Sequence, residues 1–361
     1  MINKSFWKNK KVLITGHTGF KGTWLLLWLL NLGAKVYCYS LEPVGERNLF
    51  LNLFKNNKNS FNFEEIYSDI RDHESLTKWI NHSQPEIVLH LAAQPLVRES
   101  YLEPLHTWEV NLIGSLKILE SLKNLDHKCS VVMITTDKVY LNQEQIYDFK
   151  ENDTLGGNDP YSASKASAEI AIASWRRSFC GNEKYQTNNL RIATARAGNV
   201  IGGGDWSKDR IIPDIITSLL DEKIISIRNP QSTRPWQHVL EPLNGYLKLA
   251  EYLHQSNNPR CEAYNFGPNP DNNRTVMDLV KEVIEIWPGK WENEQELSFF
   301  YESKNLSLNS EKSFKILNWK NKWNFNQTIF NTVRWYEKVY KENFCPLESC
   351  QNDLLNYQET N

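Results

Sequence analysis

The fold is constrained most strongly by short apolar runs that alternate with segments of helical length. Runs without polar alternation occupy residues 11–15, 35–39, 87–91 and 131–135. Strands that are apolar on both faces are typical of parallel sheets covered by helices on both sides. The sequence therefore predicts an α/β fold built on a doubly wound, mostly parallel sheet.

Composition and charge limit the kinds of partner that this chain can have. It contains 41 basic and 43 acidic residues, so we expect no basic surface for nucleic acid or an anionic membrane. The apolar segment 24–30 is far shorter than the roughly 20 residues that span a bilayer, and no signal peptide is evident. Six cysteines without a CxxC pair favour neither disulfides nor a metal site. We expect a cytoplasmic protein with a small-molecule partner.

A glycine-rich turn directly follows the first apolar run. The stretch TGHTGFKGTW has a GxxGxxG pattern and leads into an apolar helical segment. Glycines there permit a tight turn and a close approach to a pyrophosphate, and the helix N-terminus offers unpaired N–H groups. This is the pattern of a Rossmann dinucleotide site, although GxxGxxG alone also occurs in ordinary turns. The candidate cofactor-binding residues of the turn are Gly16, His17, Gly19, Phe20, Lys21 and Gly22. His17 and Lys21 could contact the pyrophosphate.

The adenosine end of such a site is less sharply marked. Glu42, the carboxylate nearest the second strand, comes two or three residues late for a ribose. Asp69 and Ile70 follow the presumed third strand and could approach the adenine, and Ala92 follows the fourth. No arginine stands where a 2′-phosphate would lie, so NAD is favoured over NADP.

The second part of the chain has a different pattern. Beyond residue 190 the alternation weakens, and loops rich in Gly, Asp, Asn and Pro appear, as at 202–205. With 361 residues, the chain exceeds an average domain. We predict an NAD-binding Rossmann domain over residues 1–190 and a smaller, mainly substrate-binding C-terminal lobe over 191–361, with some of its segments returning to the sheet.

A tyrosine and a lysine lie four residues apart in a predicted helix. Tyr161 and Lys165 would share one helix face. A lysine cation beside a phenol lowers the phenol pKa and makes tyrosine a usable base for a hydroxyl. An ordinary surface pair is the alternative, because YxxxK is common by chance.

Polar residues also end the fourth apolar run. Thr136, Asp137 and Lys138 come at the carboxyl end of a buried strand, where open α/β sheets place their ligand crevice. Any loop entrance can look like this. The glycine turn, this segment and the Tyr161 helix together, in this order, predict a catalytic site.

Six stretches resemble one family specifically. They are GHTGFKGTWL, HLAAQPLVRESY, TTDKVY, ENDTLGGNDPYSASKASAE, RAGNVIGGGDWSKDRIIPD and RPWQHVLEPLNGYLKLAE, between residue 16 and about residue 251. The chain resembles the extended short-chain dehydrogenase/reductase family of NAD-dependent nucleotide-sugar epimerases and dehydratases. The first and last stretches are similar to the branch of 4,6-dehydratases that act on CDP-glucose.

The resemblance implies a reaction and its catalytic residues. Tyr161, assisted by Lys165 and Thr136, would take the proton of the glucose 4-hydroxyl while hydride passes from C4 to NAD. Asp137 would protonate the departing 6-hydroxyl, and the hydride would return to C6. In the wider family a glutamate serves as the C5 base, but here Lys138 follows the aspartate. This lysine would act as the base if neutral, or steady the enolate or the diphosphate.

The resemblance also implies how substrate and partner are held. Asn199, Arg210 and Arg234 would contact the diphosphate and nucleoside, and structural ion pairing is the alternative for each arginine. Gln94 and Arg98 could line the sugar pocket. Family members pair through two helices, so we expect a homodimer or higher homo-oligomer formed by residues 107–123 and 162–179. The product would serve deoxysugar and polysaccharide biosynthesis.

Two other functions remain open from the sequence. A nucleotide-sugar 4-epimerase would use Tyr161, Lys165 and Thr136 as well, but it needs no acid such as Asp137 to expel a hydroxyl. A non-catalytic NAD-binding regulator should have lost the tyrosine or the lysine, and both are present.

Overall fold

A seven-stranded parallel sheet forms the centre of the computed structural model, which describes residues 2–55, 61–180, 189–269, 272–293 and 306–360. The strands are β1 Lys11–Thr15, β2 Lys35–Ser40, β3 Phe63–Tyr67, β4 Ile87–His90, β5 Cys129–Ile134, β6 Asp148–Phe149, β7 Leu190–Ala197, β8 Val200–Ile201, β9 Ile225–Ile227, β10 Thr233–Pro235, β11 Gln237–His238, β12 Ala263–Phe266, β13 Asn273–Thr275, β14 Trp291–Asn293 and β15 Ser307–Leu308.

Helices cover both faces of this sheet. They are α1 Lys4–Trp7, α2 Phe20–Asn31, α3 Leu49–Phe54, α4 His73–Ser83, α5 Val97–Leu102, α6 Pro104–Trp108, α7 Gly114–Leu122, α8 Pro160–Phe179, α9 Ile211–Leu220, α10 Leu240–Gln255, α11 Val276–Ile286, α12 Glu311–Leu317, α13 Phe325–Tyr340 and α14 Pro346–Glu359. A π-helical segment, Glu109–Ile113, joins α6 to α7, and a 3₁₀ turn, Asp137–Val139, follows β5. Among the described residues, no helix is both long and apolar enough to cross a bilayer.

The strand order confirms the predicted fold. It runs β3-β2-β1-β4-β5-β7-β12, and every neighbouring pair is parallel. The chain changes direction across the sheet between β1 and β4, the point where doubly wound sheets bind their ligands. Thr15 pairs there with Tyr39 of β2 and His90 of β4. The glycine turn that follows Thr15 therefore lies at the mouth of the crevice.

Two hydrophobic cores explain the unbroken apolar runs. Along β1, Val12 and Ile14 pack into one core while Leu13 packs into the other. β5 repeats this arrangement, with Val132 in the first core and Val131 in the second. Because both faces of each central strand are buried, no polar residue alternates with the apolar ones.

The structure differs from the predicted single helix over 107–123. A π-helical segment interrupts it, and this segment carries the buried Asn111. The Asn111 amide accepts from the Gln94 N–H (2.9 Å) and donates to Ser164 Oγ (3.0 Å) on α8. Such π-helical turns re-aim side chains, and this one ties the loop after β4 to the helix that carries Tyr161.

The chain beyond residue 190 contributes both to the central sheet and to short strand pairs outside it. β7 and β12 lie in the central sheet, whereas the short strand pairs β10–β13, β8–β11, β9–β14 and β6–β15 lie outside it. The boundary at residue 190 stays a prediction.

The RPWQHVLEPL segment anchors the C-terminal tail. Glu241 is fully buried in α10 and accepts backbone N–H bonds from Lys322 (3.0 Å) and Trp323 (2.8 Å). Its other oxygen accepts from the Tyr357 hydroxyl at 2.8 Å. The Lys322 ammonium in turn donates to the Tyr357 carbonyl at the end of α14 (3.1 Å) and to that of Thr360. One buried carboxylate thereby fixes α14 against the rest of the chain.

The tail should make stability depend on pH. Asp353 on α14 is buried, and among the described residues its Oδ2 has no hydrogen-bond partner. Burial raises the pKa of Asp353 to about 7 against the opposing charge of Lys338, and burial raises that of Glu241 to about 7 as well. Carboxyls of an unfolded chain titrate near pH 4, roughly. The folded chain therefore holds more protons between these values, and the free energy of unfolding falls as pH rises through that window.

Asp353→Asn should remove much of this dependence. We expect its free energy of unfolding to exceed the wild-type value at pH 8 by roughly 2–4 kcal/mol and to match it near pH 4.5. Urea unfolding at the two pH values measures this. Glu348→Gln, at an exposed position on the same helix, is the control and should change little. An unchanged pH dependence in Asp353→Asn would contradict the assignment.

Candidate active site

The glycine turn forms a cradle that a dinucleotide fits. Gly16 has a φ of +78°, and a Cβ there would lie 2.8 Å from the Ala92 nitrogen. A Cβ on Gly22 would lie 2.0 Å from the Gly16 carbonyl oxygen. α2 starts directly after Gly19, which caps it without a side-chain hydrogen bond. The first-turn N–H groups and the helix dipole are thus available to a phosphate.

The two predicted pyrophosphate side chains differ in position. His17 is buried, with Nε2 3.3 Å from the Glu65 carboxylate and its ring against Phe50. Burial lowers its pKa, although Glu65 acts in the opposite direction. The His17 side chain therefore belongs to the core between the turn and β3, and its predicted pyrophosphate contact stays a prediction that the imidazole position does not favour.

The charge of Lys21 interacts with the catalytic residues. Burial, Arg210 and Lys165 together lower its pKa to about 8, and Asp137 acts in the opposite direction. Its neighbour Phe20 reaches the loop after β8, because a Cβ on Gly202 would lie 3.3 Å from the Phe20 ring. A lysine in this position can serve a phosphate or the reacting groups.

The predicted adenosine residues lie at the carboxyl ends of β3 and β4. The Asp69 carboxylate accepts from the Arg71 N–H (2.8 Å) and guanidinium (2.9 Å), and this pairing lowers its pKa. The Asp69 carbonyl accepts from the Tyr39 hydroxyl at 2.9 Å. Ile70 packs against Gly114. Ala92 donates its N–H to Thr15 Oγ1 at 3.1 Å, beside the glycine turn.

Helix α8 carries Tyr161 in its first turn. Asp159 caps the helix by accepting the Ser162 N–H at 2.9 Å, and Pro160 occupies the first helical position. The Tyr161 N–H donates to Ser100 Oγ at 3.2 Å, and Thr136 lies close enough to the Tyr161 hydroxyl to lower its pKa. Local capping chemistry therefore sets the start of the helix that presents the tyrosine.

The pKa of Tyr161 is shifted in the opposite direction to the one expected. Burial raises it to about 12, although Thr136 acts in the opposite direction. Burial also lowers the pKa of Lys165 to about 8, and its ammonium lies 3.5 Å from the Ile134 carbonyl. Desolvation is the largest cause of both shifts. In the chain by itself, the tyrosine is a neutral phenol.

Asp137 is placed and tuned as an acid. It is 2% exposed, and Thr136 Oγ1 donates to its Oδ1 at 3.0 Å. Burial raises its pKa, against the opposing charges of Lys138, Lys21 and Arg234. A Cβ at Gly198 would lie 2.8 Å from Asp137 Oδ2, so a glycine at the end of β7 leaves room for the carboxyl group.

Two of the predicted substrate arginines join this centre. Arg210, just before α9, donates to Asp205 Oδ2 at 3.0 Å and lowers the pKa of Tyr161. Arg234 in β10 donates to the Thr233 carbonyl at 3.0 Å and lowers the pKa of Asp137. Asn199 is exposed immediately after Gly198. The two arginines therefore act on the catalytic residues from the C-terminal part of the chain, whereas a substrate contact of Asn199 stays a prediction.

The two predicted sugar-pocket residues, Gln94 and Arg98, form hydrogen bonds with other residues of the chain. The Gln94 amide accepts the Leu96 N–H (2.5 Å) and donates to the Leu96 carbonyl (3.1 Å) and Thr107 Oγ1 (2.8 Å). Both polar atoms of the Gln94 amide therefore stabilise the loop after β4. A direct contact between Gln94 and the sugar stays a prediction. Arg98 donates to Asp209 at 3.0 Å, which links α5 to the segment that carries Arg210.

Sequence reasoning missed two carboxylates that hold these residues. Asp205 accepts from Arg210 and from the Ser207 N–H (3.0 Å), and its Asp-x-Ser spacing is a recognisable turn signal. Glu169 lies one helical turn after Lys165 and pairs with Arg196 at 2.9 Å. The available sequence signal was the spacing, because Glu169 follows Lys165 by the same four residues that separate Lys165 from Tyr161.

Two alanine variants should separate turn geometry from cofactor binding. Gly22→Ala places a methyl group against the Gly16 carbonyl, so we expect a loss of stability of about 1–3 kcal/mol and weaker NAD binding. A Cβ on Gly19 meets the same oxygen at an ordinary 3.5 Å, so Gly19→Ala should fold like the wild type. Calorimetric titration with NAD and thermal unfolding measure both properties. Equal stabilities of the two variants would contradict the close approach at Gly22.

Known nucleotide-sugar dehydratases are similar to this chain over most of its length. The profile of the GDP-mannose 4,6 dehydratase family matches residues 13–332. A CDP-glucose 4,6-dehydratase of Salmonella typhimurium is 42% identical over 339 residues, 93% of either chain. dTDP-glucose 4,6-dehydratase 1 of Escherichia coli is 25% identical over 90% of this chain and 92% of its own. The solved structure of dTDP-glucose 4,6-dehydratase from Bacillus anthracis in complex with NAD has a TM-score of 0.74 and 25% identity over 93% of this chain and 99% of that chain.

These similarities extend over both the central sheet and most of the C-terminal segments. They confirm the family resemblance expected from the glycine turn, the TTDKVY segment and the helix that carries Tyr161 and Lys165. The chain belongs to the GDP-mannose 4,6 dehydratase family.

Proposed function

We propose that this chain converts CDP-glucose to CDP-4-dehydro-6-deoxyglucose and water, with NAD as its cofactor. The supporting observation is a buried acid, Asp137, that accepts a hydrogen bond from Thr136, and Thr136 also lowers the pKa of the buried Tyr161. The 42% identity to a CDP-glucose 4,6-dehydratase supports the choice of substrate, and the NAD complex of the Bacillus anthracis relative supports the cofactor. NAD, when bound, accepts the C4 hydride of the sugar and later returns it to C6.

Oxidation at C4 needs a base for the 4-hydroxyl. Tyr161 is the proposed base, and Thr136 lies close enough to its hydroxyl to lower its pKa. Lys165, buried one turn further along α8, supplies positive charge that stabilises the phenolate form of Tyr161, which then accepts the proton of the 4-hydroxyl and becomes a phenol. Burial around both groups excludes water from the proton transfer.

Elimination of the 6-hydroxyl needs an acid. Asp137 keeps its proton to higher pH than an exposed carboxyl, because burial raises its pKa. It can therefore donate a proton to the departing hydroxyl once the 4-keto group has acidified the C5 proton. Lys138 follows Asp137 in the same 3₁₀ turn and is the proposed group at C5, as base or as a charge that steadies the enolate.

The diphosphate of the substrate is anionic, and the site offers cations for it. Arg210 and Arg234 are the proposed phosphate ligands, since guanidinium groups bind phosphate oxygens in pairs. Asp205 holds Arg210 in position at 3.0 Å. Asn199 is the proposed polar contact to the nucleotide. The nearby pairing of Arg98 with Asp209 orders the entrance of this region.

The test is to incubate the purified protein with NAD and one sugar nucleotide at a time: CDP-, dTDP-, UDP- or GDP-glucose, or GDP-mannose. Mass spectrometry should show loss of one water from CDP-glucose alone. Loss of water from another nucleotide would reassign the substrate. An isomer of unchanged mass would make the chain an epimerase, and no reaction with any of the five would refute the proposed activity.

We also propose a homodimer formed through α6, the π-helical segment and α8. These elements pack together in one subunit and leave large apolar side chains exposed, with Leu105 at 78% and Ile170 at 58%. Leu105→Asp combined with Ile170→Asp should give a monomer by light scattering coupled to size exclusion. Phe330→Asp, at an exposed position on α13, is the control and should stay dimeric. A monomeric wild-type protein would contradict the proposal.

A cytoplasmic location is part of the same proposal. All six cysteines lie in the described part of the chain and are free thiols, and burial raises the pKa of Cys129 and Cys350 well above the ordinary thiol range. Unreactive free thiols are typical of a reducing compartment.

A further inference from the structure

A buried ion pair lies directly beneath the catalytic residues. Glu169 on α8 is 1% exposed, Arg196 on β7 is 4% exposed, and their side chains meet at 2.9 Å. Two threonines donate hydrogen bonds to the Glu169 carboxylate: Thr135 Oγ1 donates to Oε1 at 2.6 Å, and Thr194 Oγ1 donates to Oε2 at 2.8 Å. Burial by itself would raise the pKa of Glu169, but Arg196 and the threonines hold it below its usual value.

Each partner in this cluster is a near neighbour in sequence of a proposed catalytic group. Thr135 directly precedes Thr136, and Glu169 lies one turn after Lys165. Arg196 stands two residues before Gly198, the position that faces the Asp137 carboxyl group. The carboxylate thus joins α8, β5 and β7 at the points where they carry the reacting groups.

The cluster also reaches the far end of the catalytic turn. Arg196 Nη1 donates to the Tyr140 hydroxyl at 2.9 Å, and its guanidinium lies 5.0 Å from the centre of that ring. Tyr140 ends the 3₁₀ turn that holds Asp137 and Lys138. The Tyr140 hydroxyl donates in turn to Asn265 Oδ1 at 2.7 Å, so the turn is fixed from β12 as well.

Stability does not explain such a pair. Burying two charges costs several kcal/mol per ion in typical proteins, and packed apolar residues often stabilise a core as well or better. Four polar groups around the carboxylate and the guanidinium do specify a single geometry: the hydroxyls of Thr135, Thr194 and Tyr140, and the Glu151 carbonyl at 3.0 Å. That geometry includes the spacing between Tyr161 on α8 and Thr136 after β5.

We propose that Glu169 is a positioning residue: through Thr135, Arg196 and its own helix, it fixes Tyr161 and Lys165 against Thr136 for C4 oxidation. The inference rests on the proposed function of this site. It assigns no contact between Glu169 and substrate.

The first test compares Glu169→Gln with Glu241→Gln. Both replace a buried, hydrogen-bonded carboxylate with an amide of similar shape, but Glu241 holds the C-terminal tail. Because a misplacement of about 1 Å can cost a hundredfold in rate, we expect kcat for CDP-glucose to fall about 10- to 100-fold in Glu169→Gln with KM within about twofold. Glu241→Gln should lose stability without this loss of kcat. Equal kcat in the two variants would overturn the proposal.

A double variant separates charge balance from positioning. Glu169→Gln leaves Arg196 buried without its carboxylate, so Glu169→Gln with Arg196→Met should be more stable than Glu169→Gln alone. Its kcat should nevertheless stay low, because the links to Thr135 and Tyr140 are gone. Recovery of the wild-type kcat along with stability would show that Glu169 acts only through folding.

Crystal structures of the single variants provide a readout that does not depend on turnover. The distance between the Tyr161 hydroxyl and Thr136 Oγ1 should increase in Glu169→Gln and stay at its wild-type value in Glu241→Gln. An unchanged distance in Glu169→Gln would overturn the positioning role even if the wild type is active. If the wild type dehydrates no sugar nucleotide, the proposed function fails, while this structural comparison still decides whether Glu169 sets the Tyr161 geometry.

Discussion

Tyr161→Phe is expected to lower kcat for CDP-glucose by about 10²- to 10⁴-fold, the range of a lost general base. The substitution removes only the hydroxyl, and the ring keeps its buried position at the start of α8. Without the Tyr161 hydroxyl, the 4-hydroxyl of the sugar loses its proton acceptor. Water release followed by mass spectrometry measures the effect, and NAD binding measured by calorimetry should change little.

A matched tyrosine controls for the loss of a buried hydroxyl. Tyr264 in β12 is buried and donates to the Arg260 carbonyl at 2.9 Å, away from the catalytic residues in sequence and in hydrogen bonding. Tyr264→Phe should lose about 1 kcal/mol of stability and keep its kcat. Turnover by Tyr161→Phe within threefold of wild type would remove Tyr161 from the reaction.

Asp137→Asn is expected to block elimination without blocking oxidation. The amide keeps the shape of the carboxyl group and the contact to Thr136, but it cannot deliver a proton to the 6-hydroxyl. We expect dehydration to slow by about 10²- to 10⁴-fold, while C4 oxidation continues because Tyr161 and Lys165 are untouched. Mass spectrometry of the quenched reaction should then show a CDP-hexose lighter by two hydrogens, in an amount limited by the enzyme present.

The control for this variant is a second carboxyl with a raised pKa. Partial burial raises the pKa of Asp214 on α9, but this carboxyl is 47% exposed, pairs with Arg228 and does not belong to the 3₁₀ turn. Asp214→Asn should dehydrate CDP-glucose at close to the wild-type rate. If Asp137→Asn accumulates no oxidised sugar and forms no product, Asp137 serves C4 oxidation and the division of roles is wrong.

The two variants together also distinguish a dehydratase from an epimerase. An epimerase needs Tyr161 but has no hydroxyl to expel, so only a dehydratase loses product formation in both variants. The raised pKa of Asp137 is the structural feature that favours elimination, because a carboxyl that keeps its proton to higher pH suits a step that consumes a proton.

Much of the fold followed from local patterns. Apolar runs without polar alternation predicted β1, β2, β4 and β5, because strands of a covered parallel sheet bury both faces. The glycine turn was predictable for a similar reason, because Gly16 and Gly22 lie close together in the sequence. The clash that a Cβ on Gly22 would make with the Gly16 carbonyl involves only residues of this turn. The π-helical break at residues 109–113 was not predictable, since it depends on Asn111 reaching α8.

The candidate site was predictable in its residue types but not in its energetics. The spacing of Tyr161 and Lys165 indicated a shared helix face, yet the pKa of Tyr161 is raised instead of lowered, because burial is a property of the folded chain. Gln94 was expected at the sugar, and its amide instead closes its own loop. A polar side chain in a loop does not reveal which partner it will find.

What the sequence by itself determined is the set of short-range features: strand and helix positions, the glycine cradle, the Asp159 cap that starts α8, and the order of the catalytic residues. The tertiary structure alone decided which distant residues support them. Glu169 meets Arg196 across 27 residues and Thr135 across 34, and Glu241 meets Tyr357 across 116. No local pattern encodes such pairs, because their geometry arises only when the packed sheet and helices bring these buried charges and hydroxyls within hydrogen-bond distance.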